Sequence, residues 1–249
     1  MVSDTELRSR IKTFFRFSTE EIKGVLPAII VTAFIFSFDD WGGDSFNFVI
    51  GLTHLVLTIF VASMTFFFRL GSQKIYALSE GYNAEFKVWW AGLIIALVAT
   101  FISFITLSNF IPIVLTGTLA VALNAKQRLG EFRYGFSYKD NALIHFCGIA
   151  MNMVLAIIFA VADFFIPGNY FLMQGLSLNL WMGLWLLLPL PQLEGLSIFF
   201  GSRPLYCTAL VMVIVNSLLL VSGTKIGLIL AVLIAAVASI IYIVTRSSK

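Results

Sequence analysis

Apolar residues run through this chain in long, uninterrupted stretches separated by short polar connections. Phe46 to Phe68, Val88 to Thr106, Asn141 to Ala162 and Ile226 to Val244 carry no charged residue. Tyr170 to Gln192 and Pro204 to Gly223 also lack Asp, Glu, Lys and Arg, and a shorter run, Gly24 to Phe38, ends at Asp39. A helix needs about 20 apolar residues to cross a bilayer. The pattern therefore predicts an all-α polytopic membrane protein with about six or seven transmembrane helices, organised as a single membrane domain over residues 1–249.

The connections refine this picture. Residues 1–23 place Leu7, Ile11, Phe14 and Phe15 at helical spacing among Arg8, Arg10, Lys12 and Arg16. This is either a helix lying on an anionic membrane surface or a solvated tail. Ser18-Thr19-Glu20-Glu21 reads as a capping box, so the first long helix should start there. Asp39, Asp40 and Asp44 follow the first apolar run, whereas Arg69, Lys74 and Lys87 follow the second. Basic residues favour the cytoplasmic side, which assigns the N-terminus, residues 69–87 and the tail (Arg246, Lys249) to the cytoplasm. Ile111 to Leu123 is rich in Val, Thr, Ile and Leu, with Pro112 and Gly117, and reads as β-structure. It leads into a basic segment, Lys126, Arg128, Arg133 and Lys139. Irregular or extended backbone survives at membrane depth only where protein or a water-filled cavity satisfies it, so a small re-entrant β segment around 110–135 is expected, as a hairpin.

Composition excludes other classes. The chain is 59% hydrophobic and 12% charged, with a mean hydropathy of +0.97. A soluble domain carries about 25% charged residues. The net charge of +3 sits in the connections, where the lipid bilayer explains it, and no nucleic-acid partner is expected. Cys147 and Cys207 fall inside predicted spans and read as small packing residues.

Polar groups inside membrane segments are costly and are functional candidates by default. The set is His54, Asn109, His145, Asn152, Asp163, Gln174, Asn179, Gln192, Glu194 and Asn216. The strongest local signal is Leu188-Pro189-Leu190-Pro191-Gln192-Leu193-Glu194-Gly195, where two prolines and a glycine interrupt an apolar helix beside a carboxylate.

Here the chain resembles the site-2 protease family of membrane-embedded zinc metalloproteases, its archaeal branch in particular. The family pattern "NLLPIPPLDG", often continued in archaeal members as "SKIFFGSRPLY", is matched by "LLLPLPQLEGLSIFFGSRPLY". The segment "GIAMN", with Asn152, resembles the family's "GPLAN", and Ala84-Glu85-Phe86 resembles the segment after the metal-binding helix. These landmarks fall in the family's order over residues 46–206, with residues 204–249 left as a C-terminal helical hairpin. The resemblance implies a zinc site built from HExxH plus an aspartate. Two histidines at i and i+4 on one helix face bind the metal, and the glutamate is the general base. In this chain those positions align with Arg69, Leu70 and Gln73, and the aspartate position holds Glu194. Zinc is expected for the family, yet one carboxylate of the implied ligand set remains, so no cofactor and no catalytic residue is assigned.

The two histidines do not rebuild the site by sequence. His54 lies fifteen residues before Arg69 on what should be one helix, roughly 22 Å away at about 1.5 Å per residue, and His145 has no partner at i+4. Both read as packing or interfacial residues. Arg69 and Lys74 read as snorkelling at the cytoplasmic end of their helix. Glu194 reads as a relic carboxylate, bonded to nearby backbone or paired with Arg69. Asn152, Pro189, Pro191, Glu194 and Gly195 stand as possible partner-binding or structural positions.

Three functional classes follow. The leading one is a catalytically inactive site-2-protease-like protein of the plasma membrane, a pseudoprotease binding or scaffolding a membrane-protein or peptide partner, the peptide adding as a strand to the 110–135 region. An active intramembrane zinc metalloprotease with an atypical metal site is the alternative. A transporter or channel subunit is the third, and it would require paired charges within helices or an inverted repeat of broken helices.

Overall fold

A computed structural model describes residues 4–41, 46–106, 111–123 and 136–234. Asp44, Asn109, the basic positions 126, 128 and 133, and the tail from 235, which holds most of the expected last helix, lie outside the described residues.

The apolar runs that are described are helical over most of their length. A short amphipathic helix α1 (Asp4–Phe14) precedes α2 (Thr19–Ser37), whose N-terminus carries the capping box. Ser18 Oγ accepts from Glu21 N–H at 3.1 Å, and the Glu21 carboxylate accepts from Ser18 N–H. Pro27 lies inside α2. The 32-residue α3 (Phe48–Ser79) is capped by Asn47 and is about 48 Å long. Strand β1 (Tyr82–Val88) leads into α4 (Trp90–Thr106), and strand β2 (Gly117–Leu123) into α5 (Tyr138–Phe165). Then come α6 (Tyr170–Leu186), α7 (Glu194–Gly201), α8 (Arg203–Val221) and the short α9 (Lys225–Ile234). Three of these, α3, α5 and α8, are long and apolar enough to cross a membrane.

The β expectation is met in part. Residues 117–123 do form a strand, and among the described residues its partner is β1, while the rest of the expected hairpin, after residue 123, lies outside the described residues. The two pair antiparallel with Phe86 opposite Leu119. The sequence reading missed β1 because Tyr82 to Val88 carries Asn, Glu and Lys among its apolar residues. Its alternation shows only once the buried face, Tyr82, Ala84 and Phe86, is known.

Two apolar clusters form the core. One gathers α2, α3, both strands, α4 and α6 around Phe66, Leu70, Tyr82, Phe86 and Leu186. The other gathers α5 to α8 around Ile149, Met153, Ile198 and Val213. Leu193 belongs to the first and Ile198 to the second, so Glu194 between them lies at the seam.

Helix directions follow from specific contacts. Thr58 of α3 meets Tyr170 of α6, and Thr65 meets Asn179, so α3 and α6 run parallel. Gly175 of α6 packs against Phe159 of α5 and Gly183 against Met153, so α5 runs antiparallel to both.

Candidate functional site

The site is assembled where α3, α5 and the start of α7 converge. Arg69 and Gln73 stand four residues apart on α3 and therefore share one face. The chain leaves α6 at Leu187 and passes through Leu188 to Leu193 without regular structure. Pro189 and Pro191 remove two backbone donors there. Gln192 takes a positive φ of 65°, a conformation uncommon outside glycine. Gly195 is required by close approach, because a Cβ at that position would overlap the Leu187 carbonyl. This turn delivers Glu194 as the first residue of α7, where the exposed N–H groups of a helix start favour a carboxylate. Glu194 thus begins a helix directly after the break that the sequence signals at Pro189 and Pro191.

The side chains of Arg69 and Glu194 are both 0% exposed. Arg69 Nη2 donates to Glu194 Oε1 at 2.6 Å and Nε at 3.2 Å. Gln73 Nε2 donates to the same oxygen at 2.8 Å and approaches the His145 carbonyl at 3.4 Å. Gly148 of α5 makes room for this arrangement, since a Cβ there would overlap the Gln73 amide and press on Glu194 Oε2. Arg69 also lies 5.7 Å from the centroid of the Phe66 ring. Chemically this is a buried, neutral ion pair reinforced by one amide.

A second buried pair lies five residues further along α3, at Lys74. Lys74 Nζ donates to Glu21 Oε2 at 2.7 Å and to the Arg16 carbonyl at 2.8 Å, and it sits 4.6 Å from the Phe17 ring centroid. Glu21 Oε1 accepts from Phe86 N–H of β1 at 2.9 Å. Arg69 and Lys74 are therefore not snorkelling cations. They are buried, at 0% and 4% exposure, because each meets a carboxylate from an element distant in sequence.

The remaining candidates divide. Leu70 is buried in the apolar core with Phe66. Asn152 is fully buried on α5. Pro189 and Pro191 are exposed in the loop. His54 stacks on Tyr170 with ring centroids 3.9 Å apart, and its Nδ1 lies 3.0 Å from the Asp40 carbonyl, at the far end of α3. Tyr170 and Gln174 both donate to Asp40 Oδ2, so these groups form an interhelical polar lock. His145 is buried, with Nδ1 3.4 Å from the Thr118 hydroxyl. The sequence did not single out Gly148 or the carbonyl of His145. The resemblance did group Arg69 and Gln73 with Glu194, as positions of one implied ligand set.

The donor set does not fit zinc. A guanidinium is always protonated and has no lone pair to give, and the Gln73 amide presents a donating nitrogen. One carboxylate is left where a catalytic zinc takes three protein ligands and an open position. Among the described residues, no group of three or more His, Cys, Asp and Glu could hold a metal ion.

Among the described residues, fold and site together define a mostly helical protein with three helices fit to cross a membrane, a two-stranded sheet, and a buried Arg–Glu pair. Against curated proteins, the chain is 27% identical over 187 residues to one from Methanocaldococcus jannaschii that carries the name "Putative zinc metalloprotease". The alignment covers 74% of this chain and 85% of that protein, and it supports a metalloprotease-like relationship. No protein-family model matches, and no solved structure matches.

Proposed function

We propose that this chain is a catalytically inactive, site-2-protease-like membrane protein in which a buried Arg69–Glu194 pair stands where the family holds its metal. The observation that carries this reading is the convergence of Arg69 Nη2 and Gln73 Nε2 on Glu194 Oε1. The resemblance assigns those three residues to the two histidines and the acid of one zinc ion. Three ligand positions that share a metal must lie within a few ångströms of one another. A cation and a carboxylate installed at those positions neutralise each other without one. On this reading α2, α4 and α6 also cross the bilayer, giving six or seven crossings with the last helix, and the N-terminus is cytoplasmic.

What remains for such a scaffold is to bind or hold a membrane-protein or peptide partner. Glu21 accepts from Phe86 N–H on β1, which closes that edge, so among the described residues the edge of β2 away from β1 is where an added peptide strand would pair.

Elemental analysis of the detergent-purified full chain tests the reading. Zinc far below one ion per chain, unchanged in Glu194→Ala, is expected. One tightly held zinc per chain, lost in Glu194→Ala, would instead establish a metalloprotease, as the relative's name describes that protein.

A transporter or channel subunit is favoured by one observation, the two ion pairs buried between helices, since intramembrane charges often mark transport paths. Flux assays in reconstituted vesicles separate the two. Substrate-dependent flux abolished by Glu194→Ala would replace the scaffold reading.

A further inference from the structure

We infer that the Arg69–Glu194 pair and Asn152 enclose a buried water-binding site, which ties α5 to the α3–α7 pair.

The two ion pairs differ in how far they are satisfied. Glu21 uses both oxygens, accepting from Lys74, Ser18 N–H and Phe86 N–H. At the other pair five buried atoms find no hydrogen-bond partner within the protein: Arg69 Nη1, Gln73 Oε1, Glu194 Oε2, and both Oδ1 and Nδ2 of Asn152. Their residues are all 0% exposed. Leaving a buried polar group unmet is costly, and native structures meet nearly all of them with protein or ordered water.

Helix register brings these atoms together. Gln73 lies against Gly148, and Ser72 Oγ reaches toward the Cys147 carbonyl at 3.5 Å. Because α3 and α5 are antiparallel, stepping back four residues on α3 to Arg69 corresponds to stepping forward four on α5 to Asn152. Side chains lean toward the helix N-terminus, which tips Asn152 back toward Gly148 and hence toward Glu194 Oε2. Asn152 is thus the next polar group on α5 facing the pair.

The chemistry of the occupant follows from the charge. The guanidinium and carboxylate cancel, so a cation would meet Arg69 and an anion would meet Glu194. A neutral guest must donate to Glu194 Oε2, Gln73 Oε1 and Asn152 Oδ1, and accept from Arg69 Nη1 and Asn152 Nδ2. Water does both, and internal waters make about three such bonds each. The inference depends on the arrangement of these side chains and not on whether the scaffold descends from a protease.

Asn152→Leu decides the sign. This substitution removes both polar atoms at nearly constant shape. If Asn152 is bridged by water to the pair, the purified full chain loses several degrees of melting temperature in detergent. The loss shrinks in the Arg69→Met/Gln73→Leu/Glu194→Leu background, where no polar partner is left to bridge. If its amide is simply unmet, Asn152→Leu is as stable as the parent or more so, and the inference falls. The Asn152 side-chain amide is a second probe. With it detected by nitrogen-15 labelling, a cross-peak to a long-lived water is expected in the parent and absent in Arg69→Met/Gln73→Leu/Glu194→Leu. An Asn152 amide without any water contact in the parent overturns the inference even if the variants fail to fold.

Discussion

Arg69 Nη2 and Glu194 Oε1 lie 2.6 Å apart although 125 residues separate them in the chain. Neither side chain reaches solvent. A pair of this kind is asymmetric in its energetics. Breaking it by removing one partner costs about 3–5 kcal/mol, because the other charge is left buried, whereas replacing both with apolar residues is often neutral or stabilising. Glu194→Ala and Arg69→Ala should therefore each lower the melting temperature of the purified protein strongly. Arg69→Met/Glu194→Leu should recover most of the loss. Additive losses in the double variant would show that the two charges are not coupled.

The shared face of Arg69 and Gln73 predicts a gain of function in metal binding. Arg69→His/Leu70→Glu/Gln73→His places two imidazoles at i and i+4 opposite Glu194, three ligands of the kind catalytic zinc uses. Elemental analysis should find close to one zinc per chain in this variant and far less in the parent. Parent-like zinc in a variant that folds would mean the three positions do not meet as described.

Glu21 links α2, α3 and β1 through Lys74 Nζ and Phe86 N–H. Lys74→Met should destabilise by about 3–5 kcal/mol, the range for an orphaned buried charge. It should also raise hydrogen exchange at the Phe86 amide ahead of the pairing between β1 and β2. Unchanged protection at Phe86 would remove Glu21 as the element that holds β1.

Gly148 and Gly195 should be intolerant for different reasons. Gly148→Ala meets the flexible end of Gln73, so Gln73→Ala in the same chain should restore much of the stability. Gly195→Ala meets the backbone carbonyl of Leu187, which cannot move aside, and no side-chain trimming should rescue it. Melting temperatures of the single and double variants check both.

Much of the architecture was legible because it is local. Apolar runs, the Ser18–Glu21 capping box and the break at Pro189 to Gly195 all depend on neighbours in sequence, and the helices and the turn form there. The strand in 117–123 was legible from its β-branched and small residues. Its partner was not, because pairing joins segments that sequence does not connect. The burial of Arg69 and Lys74 was misread for the same reason. A cation near the end of an apolar helix reads as solvated until the carboxylate that meets it is found, and Glu194 and Glu21 come from other elements.

The sequence by itself determined that this is a chain of apolar helices with few charges, and that Arg69 and Gln73 share a helix face, because helical periodicity is set within a few residues. Only the tertiary structure decided that Glu194 closes on both of them, that Glu21 neutralises Lys74, and that β1 is the partner of β2. Those outcomes depend on how α3, α5 and α7 pack, and a buried charge is stable only where packing brings its counter-charge and hydrogen-bond partners together.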